Sequence, residues 1–205
     1  MLRRAIVLGA ITALVVGCTA DKPAPTGFEI RSPLFAVGGN RDFNLGTHMT
    51  GAEEFFPAAP GAPTPADSRA QGEAIFRVND DGTVDFRLIA SNIDNVIMSH
   101  IHCGPPGANG PIRMWLYPGT GPTGAPAPSG AGPQNGVLAS GTFNPTGVLC
   151  PKANVGGTQD KPLLDAMQAG LTYVNVHTND GVLPPNTGPG DFPGGEIRGQ
   201  LDHGR

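Results

Sequence analysis

Positive charge is scarce in this chain. Its 205 residues carry 13 Lys and Arg against 17 Asp and Glu, and the basic residues form no stripe able to neutralise phosphates, so nothing in it suits a nucleic-acid partner. Long apolar runs are missing too. The longest, from Ala5 to Val16, is broken only by Thr12 and covers roughly a dozen residues, where a membrane-crossing helix needs about 20. Catalytic signatures are also absent: there is no Gly-x-Ser-x-Gly elbow, no His-Glu-x-x-His pair and no phosphate loop. Asp80-Asp81-Gly82 lacks the spacing of a calcium loop and suits a hairpin turn.

What is present first defines a compartment. Arg3 and Arg4 precede the apolar run, which ends in Val15-Val16-Gly17-Cys18. That ending resembles the bacterial lipobox, a signal cut before a cysteine that then carries acyl chains. Each buried methylene of such a chain contributes about 0.8 kcal/mol, and more than one chain makes anchoring stable. An ordinary secretory signal with a chance cysteine is the alternative. Loss of residues 1–17 removes Arg3 and Arg4 and takes the formal charge from -4 to -6. The stretch from 18 to 40 then reads as a lipid-anchored polar tether rich in proline, and 41–205 as one domain with one core. The expected location is the cell envelope, held to a membrane by lipid and facing periplasm or exterior.

Only three cysteines occur. With Cys18 spent on the anchor, Cys103 and Cys150 are left as a pair, expected to be disulfide-bonded in an oxidising envelope. A thiol ligand is the rival reading for Cys103, which follows His100 and His102 directly.

Glycine and proline, 31 and 22 residues, make up about a quarter of the chain without a collagen period, which favours short strands and long loops. Alternating stretches recur at 41–49, 73–90 (a hairpin turning near Asp81-Gly82), 95–103, 111–118, 136–144, 171–178 and 195–202. One helical pattern covers 161–170, with Asp160 as its cap, Pro162 in the first turn and Gly170 at its end. Gly/Pro-rich loops at 57–68, 118–135 and 179–194 are long for simple connectors. The predicted fold is all-β: an antiparallel, Greek-key-like sandwich or barrel with one short helix.

Four stretches, FNLGTHMTGAEEFFPAAP, AQGEAIFRVNDDGTVDFRLIASNI, SHIHCGPPGANGPIRMWLY and YVNVHTND…FPGGEIRGQL, resemble the successive signatures of the chordin-type (CHRD) domain. The resemblance runs from about Phe43 to Leu201. It implies a β-rich extracellular domain, known from a secreted growth-factor antagonist and from bacteria, and brings no settled activity. The insert at 118–135 and the Cys103/Cys150 pair depart from the family pattern, so loop functions do not carry over.

Strand alternation sorts the functional side chains. Met98, His100 and His102 share one face, with Ile97, Ile101 and Cys103 opposite. Tyr173, Asn175 and His177 share a face, as do Glu196, Arg198 and Gln200. If these strands are neighbours, the polar side chains gather on the outer side of one sheet. His100, His102 and His177, completed by Glu196 or water, would then suit a single Zn²⁺ or Cu²⁺ ion. The copper/zinc superoxide dismutases also use a strand-borne His-x-His, but five histidines are too few for their paired-metal centre. His48 and His203 lie outside the motifs. A polar cluster of Tyr173, Asn175 and Arg198 that meets solvent or a covering loop is the plain structural alternative. Trp115 and Tyr117, on a face with Arg113, would either stack on a sugar or partner or pack in the core. The leading expectation is a non-enzymatic envelope protein that binds a protein or glycan partner or stabilises the surface; the alternative is a mononuclear copper or zinc protein.

Overall fold

The structure is a computed structural model that describes residues 44–203. The expected signal peptide, the proposed anchor residue Cys18 and the expected tether to residue 40 lie outside the described residues. Eleven strands follow in chain order: β1 Asn44–Thr50, β2 Gln71–Val78, β3 Val84–Asp94, β4 Val96–Cys103, β5 Ile112–Tyr117, β6 Pro133–Phe143, β7 Leu149–Cys150, β8 Lys161–Pro162, β9 Thr172–Thr178, β10 Ile197–Gln200 and β11 Asp202–His203. Two short helices, α1 Lys152–Val155 and α2 Leu163–Gln168, sit between β7 and β9.

One antiparallel sheet runs β5-β4-β9-β10-β1-β2-β3-β6, with β11 beside β1, and β7 and β8 form a separate pair. The end strands β5 and β6 approach one another, so the sheet is a nearly closed barrel, the barrel branch of the expected all-β fold. The predicted hairpin is present: Asn79 donates to the Thr83 carbonyl at 2.8 Å, and Gly82 takes φ +82°, which a side chain would resist. Inside the barrel, Phe76, Phe86 and Phe143 pack ring to ring beside Leu45, Leu88, Ile101, Val174, Val176 and Ile197.

The helix at 161–170 is shorter than its pattern. Lys161 and Pro162 are extended because they pair with Leu149 and Cys150, and a residue before proline avoids the helical region. Pro162 therefore stands at the N-cap, and Asp160 instead accepts the Lys152 N–H at 2.9 Å, beside α1. Gly170 ends α2 as expected, in a left-handed conformation at φ +68°. Cys103 and Cys150 are disulfide-bonded, with Cα atoms 5.5 Å apart, which ties the end of β4 to β7. That bond removes Cys103 as a thiol ligand.

Candidate metal centre

β4, β9 and β10 are neighbours, and their register sets out the polar face as rows. His100 lies opposite Asn175, which lies opposite Arg198; His102 lies opposite Tyr173, which lies opposite Gln200; Met98 lies opposite His177. β5 extends the middle row with Trp115 across from His100. The faces predicted for β4 and β9 hold, but the polar face does not meet solvent. A register shift parts Trp115 from Tyr117, which pairs with Ser99 and packs against the apolar core. His100, His102 and His177 are 0%, 7% and 5% exposed, and Asn175 and Arg198 are equally buried.

Loops cover this face and are pinned by the same side chains. Arg198 donates to the Pro105 and Ala108 carbonyls and to Asn109 Oδ1, holding the 104–110 loop, while its guanidinium lies 3.4 Å above the Tyr173 ring centroid. Tyr173 Oη accepts the Gly110 N–H, and its ring stacks on His102 at 4.7 Å. Trp115 stands edge-on to His100 at 4.2 Å between ring centroids. Gly124 lies so close over the indole that a Cβ there would collide with it.

The three imidazoles have a defined orientation. His102 Nδ1 is 2.8 Å from the Gly110 carbonyl oxygen and His177 Nδ1 is 2.9 Å from that of Pro193. Only N–H can face a carbonyl, so both Nδ1 atoms donate and both Nε2 atoms keep their lone pairs. Carbonyl hydrogen bonds of this kind orient metal-binding histidines. His100 Nδ1 lies 3.3 Å from His177 Nε2, while Nε2 of His100 and of His102 are buried without a hydrogen-bond partner. One ring nitrogen from each histidine falls within 4.8 Å of the others. Nitrogens bound tetrahedrally at zinc distances stand about 3.3 Å apart, so only a small closure is needed.

Burial keeps the rings neutral. It pushes His100 down to about 2, helped by its two histidine neighbours, and His102 and His177 down to about 4, against the pull of their carbonyl partners. Neutral imidazole is the form that ligates Zn²⁺ and Cu²⁺. The carboxylate at this cluster is Glu54, raised to about 7 by burial against the opposing field of Arg198. Burial also raises the Tyr173 phenol and lowers Arg198.

Not every expected residue joins the cluster. Glu196 is fully buried but accepts hydrogen bonds from Ser68 Oγ, Thr178 Oγ1 at 2.6 Å and the Gly190 N–H at 2.8 Å. Preceding β10, it ties three segments together, and its oxygens are committed there rather than to the histidines. Trp115 is packed beneath its loop and offers no open face to a sugar. His48 sits apart at the surface, 2.8 Å from Glu73. The residue that sequence reasoning missed is Glu54, which follows a 3₁₀ turn at Gly51–Glu53. It belongs to no strand, and no alternation points to it; a paired Glu53-Glu54 before two phenylalanines was the only hint.

Fold and site together define a β-barrel domain with a buried three-histidine cluster on one wall. The CHRD domain model matches residues 45–201, nearly the whole described region, and the chain belongs to that family. No significant match was found among curated proteins or solved structures.

Proposed function

We infer that this CHRD domain holds one divalent ion of the Zn²⁺ or Cu²⁺ class on His100, His102 and His177, and that a lipid at Cys18 displays it at the bacterial envelope. The observation that carries the metal reading is the set of lone pairs. Two tautomers are fixed with Nε2 inward, and the buried Nε2 atoms of His100 and His102 make no hydrogen bond of good geometry, His102 having only the Asn175 amide beside it. Buried lone pairs so placed are costly unless a donor or a cation meets them, and three converging on one point suit a cation. All donors in the set are nitrogen, with the nearest cysteine oxidised, which favours Zn²⁺ or Cu²⁺ over Cu⁺. The absence of a catalytic motif and the CHRD assignment support a binding role over a catalytic one.

Protein purified without added metal and then given Zn²⁺ or Cu²⁺ should take up one ion per chain. His100→Ala with His102→Ala should lose it. An ion at 100 times its Kd should also stabilise the fold by about 2.7 kcal/mol, read as a rise in Tm. No stoichiometric ion in either titration would overturn the metal reading. For the anchor, Cys18→Ser should move the protein from the membrane to the soluble fraction; unchanged retention would overturn it.

A further inference from the structure

The three histidines leave a fourth coordination position to fill, and Asn175 is placed for it. Its Oδ1 lies 3.0 Å from His177 Nε2. Because His177 Nδ1 donates to Pro193, that Nε2 is an acceptor, so two acceptors face each other. Turning the amide over would place Nδ2 at the histidine, but would aim Oδ1 at Glu54 on its other side. Glu54 Oε2 is itself buried without a hydrogen bond. With Glu54 ionised, either orientation leaves one acceptor pair, and a cation beside the imidazoles, which itself favours the ionised carboxylate, resolves the first while letting Nδ2 donate to Glu54.

We propose that Asn175 Oδ1 is the fourth donor to the ion, and that Glu54 is the positioning residue that turns the amide toward it and balances the ion's charge. This rests on the three-histidine reading. Charge bookkeeping supports it. Neutral imidazoles leave a bound divalent ion uncompensated, Arg198 adds another buried positive charge, and its own hydrogen-bond partners are all neutral oxygens. Glu54 is the carboxylate whose field reaches both Arg198 and Tyr173. Space is kept for it by Gly195: at φ +130°, a Cβ there would run into the carboxylate and crowd Asn175 Nδ2.

The test uses the full chain, with Zn²⁺ affinity read by competition against a chromophoric chelator and ligand geometry read from the visible bands of bound Co²⁺. Glu54→Gln should still bind one Zn²⁺, but about 10- to 100-fold more weakly, the usual penalty for losing an outer partner of a metal site. Its Co²⁺ bands should shift. Adding Asn175→Asp to Glu54→Gln moves a carboxylate inward and should restore much of the affinity. If Glu54→Gln does not fold, Asn175→Asp alone decides: it should keep Zn²⁺ binding with altered Co²⁺ bands, and unaltered bands would overturn the proposal. Wild-type binding together with a Glu54→Gln affinity within twofold and an unchanged spectrum would overturn this assignment alone. Failure of the wild type to bind would overturn both it and the metal reading.

Discussion

Three neutral, buried imidazoles make the metal-free protein sensitive to acid, and the sign follows from their folded-state pKa values. In the unfolded chain they take protons near 6.5, whereas in the fold His102 and His177 resist to about 4 and His100 to about 2. Between pH 6.5 and about 4 the unfolded state binds more protons, so stability that is full above 6.5 is lost as pH falls through this window. Each proton of difference is worth about 1.4 kcal/mol per pH unit. Glu54 acts in the opposite sense: held near 7 against an ordinary 4.5, it keeps a proton in the fold that the unfolded chain has released. Its stabilising effect therefore fades as pH rises from 4.5 to 7. Three groups outweigh one. Chelator-treated protein should lose Tm steeply between pH 6.5 and 4.5, and His100→Phe should flatten that slope by about one proton. Equal slopes would contradict a neutral buried His100.

At the scale of elements, β4 carries both His100 and His102 and ends in the disulfide. Closing a loop between residues 47 apart stabilises the fold by about 4 kcal/mol in the chain-entropy account. Cys103→Ala with Cys150→Ala should cost about that much in denaturant unfolding, and it should loosen Zn²⁺ binding because His102 adjoins the lost link. A loss below about 1 kcal/mol would show that the bond joins segments already fixed. The strands were legible because alternation is a local property: the faces of 98–102, 173–177 and 198–200 follow from counting by two. What covers them is not local. Asp160 and Lys161 read as the start of a helix, yet pairing with Leu149 and Cys150 holds Lys161 extended. Glu196 shares its alternation with Arg198, but at the edge of a strand its side chain follows Ser68 and Gly190 instead. Glu54 reaches Asn175 only through the tertiary fold.

At the largest scale, the described domain has an apolar core inside the barrel and a second, polar core between one wall and its covering loops. This second layer accounts for much of the glycine and proline. Segments such as 104–110 and 186–195 must approach the wall closely, and at Gly110 a Cβ would collide with the Cys103 carbonyl. Because these loops bury all three histidines, an ion bound as proposed would have to pass between them. The edge-on indole at His100 gives that event a signal, because Trp115 is the chain's one tryptophan. All indole emission thus comes from a single ring touching a proposed ligand. Titration with Cu²⁺, a paramagnetic quencher, should extinguish most of it at one equivalent, while diamagnetic Zn²⁺ should shift it without comparable loss. Emission indifferent to one equivalent of Cu²⁺ would place the ion elsewhere. If the metal reading holds, the fold carries its own optical gauge of site occupancy and needs no label.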